Sequence, residues 1–129
     1  MTSETLGMGV RILVATTRQD QLAVFLEELG HSCGELVVLD TGEETLAAAR
    51  ANAPDLVIID VGLPDFKPLD LVHEVMKINA MVNTAVFTDL DQEAFHEASE
   101  GWGVLMGLAM APAPGDGDKL LERLASVTG

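Results

Sequence analysis

Five times along the chain, a short run with almost no polar interruption gives way to a longer segment with apolar residues at helical spacing. The runs are "VRILVA" (10–15), "ELVVLD" (35–40), "DLVIID" (55–60), "NTAVFTD" (83–89) and "GVLMGLAM" (103–110). A strand with one wet face alternates polar and apolar residues, so runs this apolar need cover on both faces. Helical crossovers between parallel strands supply that cover. The intervening segments fit the role. "DQLAVFLEELG" places Leu22, Phe25, Leu26 and Leu29 on one stripe, with Gly30 positioned to end the helix. In "TGEETLAAARANAP", Thr41 and Glu44 have capping-box spacing and Pro54 closes the element. "LDLVHEVMKI" (69–78), "DQEAFHEASEG" (91–101) and "DKLLERLASV" (118–127) complete the set. The expected fold class is α/β, a doubly wound five-stranded parallel sheet. Residues 1–9 form a loose leader and residues 10–129 a single domain.

At 129 residues with 48% apolar content, one core forms without metal or disulfide support. Twenty-one acidic against 7 basic residues leave a net charge of -14, which repels phosphate backbones and anionic lipid. Neither nucleic acid nor a membrane surface is an expected partner. The single cysteine, Cys33, has no internal disulfide partner, so a reducing cytoplasm is the natural setting. No apolar run approaches the roughly 18 residues that span a bilayer.

In an open parallel sheet, ligands sit beyond the carboxyl ends of the strands. The residues at those ends are Ala15, Thr16 and Thr17; Asp40; Asp60; Thr88 and Asp89; and the segment 111–114. Asp60 is the acid that the strongly apolar central run "DLVIID" delivers to this rim, immediately before the turn "VGLPD".

The segment "PDLVIIDVGLPD" resembles the phosphoacceptor segment of the receiver domains of two-component response regulators, in which a strand ends in the aspartate that takes a phosphoryl group. "GEETLAAARANAPDLVIID" is similar to that family's second helix and third strand, and the likeness runs from Arg11 to about Val127. The resemblance implies a flavodoxin-like receiver fold with strand order 2-1-3-4-5. It also implies Asp60 as the phosphoacceptor position and Thr88 as the switch hydroxyl. Family members neutralise the incoming phosphoryl group with Mg²⁺, held by the acceptor and two acids after the first strand, and with a lysine after the fifth. Here the acid pair aligns with Thr16 and Thr17. The lysine aligns with Ala111, or with Ala113 if the loop is shifted. The aromatic position before that lysine is Leu108, and Pro68 replaces a usual glycine. One carboxylate and two neutral hydroxyls hold Mg²⁺ poorly, so no metal or other cofactor is expected beyond weak Mg²⁺ at Asp60.

Each remaining rim residue has a plain reading and a sharper one. Thr17, with Asp20 three residues on, is expected to cap the first helix; alternatively, Thr16 and Thr17 lend hydroxyls to a weakened anion pocket. Arg18 reads most simply as an exposed arginine of the first helix. In the sharper reading its guanidinium approaches Asp60 and supplies the charge a metal would have brought. Asp89 is expected to cap the fourth helix, and His31, His73 and His96 to lie at the surface. Trp102 is either a core plug or an anchor on the face of the last two helices and fifth strand.

The functional expectation is a degenerate receiver acting as a protein-interaction module, with weak or no Mg²⁺-dependent phosphorylation and no enzymatic activity beyond residual turnover at Asp60. A working receiver phosphorylated on Asp60 by a histidine kinase is the alternative, and a flavodoxin-like binder of a phosphorylated ligand ranks last. The partners implied are a histidine kinase, a phosphotransfer protein or an output domain, with a homodimer through the last two helices and fifth strand.

Overall fold

The computed structural model describes residues 9–101 and 103–128. The strands are β1 (Arg11–Ala15), β2 (Glu35–Leu39), β3 (Leu56–Ile59), β4 (Asn83–Thr88) and β5 (Val104–Ala109). The helices are α1 (Ala23–Ser32), α2 (Gly42–Ala51), α3 (Pro68–Ile78), α4 (Gln92–Ser99) and α5 (Asp116–Thr128). All five strands join one parallel sheet in the order β2-β1-β3-β4-β5. This is the expected doubly wound, flavodoxin-like arrangement. β1, β3 and β4 are central, and β3 is buried at all four of its positions.

Side chains alternate across each strand, so the sheet divides the apolar residues into two cores. Ile12, Val14, Leu56, Ile58 and Phe87 pack with Phe25, Leu29, Leu120 and Leu124 from α1 and α5. Leu13, Ala15, Val57, Ile59 and Val86 pack with Leu46, Leu71, Val72 and Val75 from α2 and α3. The same parity decides where the rim residues point. Thr16 follows Ile12 and Val14, and Asp60 follows Leu56 and Ile58, so both face the α1 and α5 side. The ladder extends far enough to hold them there: Thr16 N–H donates to Leu39 O and Asp60 N–H to Ala15 O, each at 2.9 Å.

Several boundaries differ from expectation. α1 does not stop at Gly30 but runs to Ser32, where the Cys33 N–H bonds Leu29 O. A helical glycine costs only about 1 kcal/mol, and the helix's buried stripe of Phe25, Leu26 and Leu29 outweighs it. α1 also starts late. Residues 19–22 are turns, and the N-cap is Leu22 with no side-chain cap, so Thr17 and Asp20 do not cap this helix. α4 is capped by Asp91, whose carboxylate accepts from Ala94 N–H, and not by Asp89. At α2 the expected cap is present, with the Thr41 hydroxyl accepting from Glu44 N–H. His31, His73 and His96 are exposed. Trp102 and residues 1–8 of the leader lie outside the described residues. Among the described residues, no helix is long and apolar enough to cross a membrane.

Candidate functional site

Asp60 is fully buried at the carboxyl end of β3, and its carboxylate has four donors. The Thr16 hydroxyl donates to Oδ2 at 2.7 Å. Arg18 Nε donates to Oδ2 at 2.8 Å and Arg18 Nη2 to Oδ1 at 2.9 Å. The Val61 N–H donates to Oδ1 at 2.8 Å. A carboxylate has about four lone-pair sites, two on each oxygen. Here every one of them is committed to a donor of the chain itself.

The turn after β1 makes this arrangement. The Thr16 hydroxyl, 2% exposed, accepts from Arg18 N–H at 2.9 Å while donating to Asp60. That contact folds the backbone into a turn of the kind Ser and Thr side chains favour. It holds residue 18 out of the helix and aims its side chain inward over the strand ends. The guanidinium is then fixed on three sides. Its fork grips Asp60, Nη1 donates to Met110 O at 2.8 Å, and its Cζ lies 5.5 Å from the Phe87 ring centroid. Phe87 in turn meets Phe25 edge to face at 5.4 Å. A bidentate arginine–carboxylate pair is charge-assisted and stronger than a hydrogen bond between neutral groups, and a ring beneath the guanidinium adds to it.

The structure therefore brings together Asp60, Thr16 and Arg18, and places the other candidates apart from this network. Thr17 is exposed, near Gly62 of the β3–α3 loop. The Thr88 hydroxyl accepts from Leu90 N–H at 3.1 Å. Ala111 is exposed just past β5 and brings no charge. The sequence reading missed three participants: Phe87, the Met110 carbonyl and the Val61 N–H. Phe87 was open to discovery, because it precedes Thr88 on β4 and shares the parity of Ile58. The two backbone groups carry no residue-type signal.

The Mg²⁺ site that the fold implies does not fit these residues. Mg²⁺ demands near-octahedral oxygen coordination and is commonly held through carboxylates. At this rim the one buried carboxylate is saturated by hydrogen-bond donors and lies against a cation. Among the described residues, no group of three or more His, Cys, Asp or Glu side chains is placed to hold a metal ion.

The loop that follows Asp60 is pinned from its far end. Asp65 accepts from Gly42 N–H at 2.8 Å and Glu43 N–H at 2.9 Å, at the start of α2. The Phe66 ring covers Gly42 so closely that an added Cβ would collide with it. Desolvation raises the Asp65 pKa, but the backbone donors of Gly42 and Glu43 outweigh it and the net shift is downward. A lowered folded-state pKa contributes stability above the unfolded value, about 3.9, and that contribution is lost as pH falls through the folded value. Asp65→Asn is therefore expected to destabilise the domain at neutral pH, with the gap to the parent narrowing as pH drops below about 4. Urea melts across that range check it; a gap independent of pH would remove the carboxylate's charge from the explanation.

Comparison with solved structures places this fold among receiver domains. The chemotaxis response regulator CheY4 of Vibrio cholerae superposes with a TM-score of 0.78 at 19% identity, covering 89% of this chain and 98% of that one. A CheY-like response regulator receiver domain protein from Methanospirillum hungatei gives a TM-score of 0.77 at 21% identity, covering 93% and 98%. The chain thus has the fold of response-regulator receiver domains. In sequence it is 28% identical over 85 residues to the probable transcriptional regulatory protein TcrX of Mycobacterium tuberculosis, covering 66% of this chain and 36% of that protein. It is 26% identical over 86 residues to the alkaline phosphatase synthesis transcriptional regulatory protein PhoP of Bacillus subtilis, covering 67% and 36%. The match thus spans about a third of the length of either relative. No family model matches the chain.

Proposed function

We propose that this receiver domain serves a two-component signalling system as a protein-interaction module whose acceptor position is closed by an internal salt bridge. The observation that carries the reading is the bidentate Arg18 pairing with the buried Asp60. Arg18 supplies the positive charge at the place where receiver chemistry calls for Mg²⁺, and together with the Thr16 hydroxyl and the Val61 N–H it leaves no lone pair of Asp60 free to attack a phosphodonor. Thr16, in place of an acid, orients both partners. Ala111 adds no cation to receive a phosphoryl group.

The partners that suit the reading are a histidine kinase, a phosphotransfer protein or an output domain, met in the cytoplasm by one domain spanning 10–129. A net charge of -14 favours a basic or apolar protein surface over nucleic acid or anionic lipid. Both curated relatives are named as transcriptional regulatory proteins; an output of that kind would lie in a partner or in further chain.

The test is incubation with Mg²⁺ and a small phosphodonor, followed by intact mass, and in parallel a beryllofluoride titration followed by amide chemical shifts. The expected result is no phosphoryl adduct and no shift at Asp60, Val61 or Thr88. A stoichiometric adduct that disappears in Asp60→Asn would establish instead a working receiver phosphorylated on Asp60.

A further inference from the structure

The guanidinium of Arg18 does more than neutralise Asp60, because its third arm reaches another strand. Nη1 donates to Met110 O at 2.8 Å, immediately after β5, while the fork holds Asp60 after β3. β5 lies at the edge of the sheet and pairs only with β4 among the described residues. Beside it runs an open groove of ≈ 980 Å³ between β5 and α4. Met110 lines that groove at one end, with Gly107, Thr88 and Phe95 along it. Thr88 and Phe95 close over Gly107, where an added Cβ would lie 3.1 Å from Thr88 Cγ2 and 2.9 Å from the Phe95 ring. Phe87, under the guanidinium, precedes Thr88 on β4. Arg18 thus touches Met110 directly and reaches Thr88 through Phe87, and Gly107 and Phe95 pack next to Thr88 in turn.

We infer that Arg18 is a tie between the acceptor position and the β5–α4 groove, holding the groove in one state that neither metal nor phosphodonor changes. This deepens the proposed function and rests on it. The family resemblance has the acceptor and the segment after the fifth strand served by separate groups, a metal ion and a lysine. Here one side chain with five donors in a rigid fork does both. Because Asp60 is buried and charged, the guanidinium cannot leave without stranding an anion, so it has no second resting place from which to release Met110. The groove is set at folding.

Arg18→Lys separates the two tasks. An ammonium keeps a positive charge beside Asp60, but it lacks the planar fork that spans Asp60 and Met110 together. Amide exchange is followed in the parent and the variant without added metal. Losing a hydrogen bond from a charged donor is expected to speed exchange across residues 108–113 by roughly ten- to hundredfold. Chemical shifts of Gly107, Leu108 and Ala109 should move with it, while Leu46, Val72 and Val75 on the opposite face stay unchanged. Unchanged exchange at 108–113, or equal acceleration on both faces, overturns the tie. Asp60→Asn is a second variant for the case where Arg18→Lys fails to fold; it should loosen the same segment to a smaller degree, and no effect there overturns the tie as well. The two levels fail differently: a beryllofluoride response in the parent sinks the proposed function, whereas an inert parent with an unmoved β5 in the variants sinks the tie alone.

Discussion

Arg18→Ala is expected to destabilise the domain by about 3–5 kcal/mol, the cost of leaving one member of a buried ion pair without its partner. Against a typical total of roughly 5–15 kcal/mol, that is a large fraction. It corresponds to a fall of roughly 10–25 °C in Tm for a chain of this size. The cost is asymmetric between the partners. Asp60 is 0% exposed, so its charge has nowhere to go, whereas the Arg18 side chain is 19% exposed and can reach water. Asp60→Asn should therefore cost less than Arg18→Ala, and the double variant Arg18→Ala/Asp60→Asn should recover part of the loss. Denaturant melts of the parent, the two single variants and the double measure the coupling directly. A cost under about 1 kcal/mol for Arg18→Ala would put the pair in the range of surface salt bridges and remove the basis for a closed acceptor.

Phe87→Ala is expected to cost about 3–5 kcal/mol, as truncation of a fully buried aromatic generally does. Phe87 heads the largest buried side chains, fills the core under α1 and supports the guanidinium from below. Phe87→Leu separates these contributions, because leucine restores most of the volume but has no ring face. The leucine variant should lose the cation–π part, about 0.5–1 kcal/mol for a partly exposed arginine, together with the edge-to-face contact with Phe25. If the ring acts on Arg18, Phe87→Leu and Arg18→Ala are non-additive by that amount in denaturant melts. Strict additivity would confine Phe87 to packing.

The sheet was legible because burial on both faces writes itself into composition. Four consecutive apolar residues, Leu56 to Ile59, cannot form a half-wet strand, and the following acid had to emerge at the rim. The two cores followed from alternation alone. The helix boundaries were less legible, because local capping signals competed. Asp89 and Asp91 are both plausible caps by type, and only the backbone direction after Thr88 selects Asp91. Gly30 is a helix stop by propensity, overridden because Phe25, Leu26 and Leu29 keep the stripe buried up to that point.

The site itself was half legible. Asp60 announced its position, and Thr16, Thr17 and Ala111 announced which charges were missing. The location of Arg18 depended on whether residue 18 belonged to the helix, and "TTRQD" read naturally as a helix start. What decided otherwise was a buried hydroxyl, that of Thr16, binding the backbone two residues on. A side chain turned inward by a local hydrogen bond leaves no periodic trace in sequence. The Met110 carbonyl, being backbone, leaves none either.

The origin of the counter-charge has one more consequence, in mass action. A domain that recruits a cation from solution gains stability as RT ln(1 + [L]/Kd), so its folded state is linked to the free ion concentration. Arg18 sits two residues from Thr16 on the same chain, and its supply is fixed by covalent connection at every dilution. The neutralising group is present in every folded copy, and on the proposed reading thermal melts are expected to be the same with and without added magnesium.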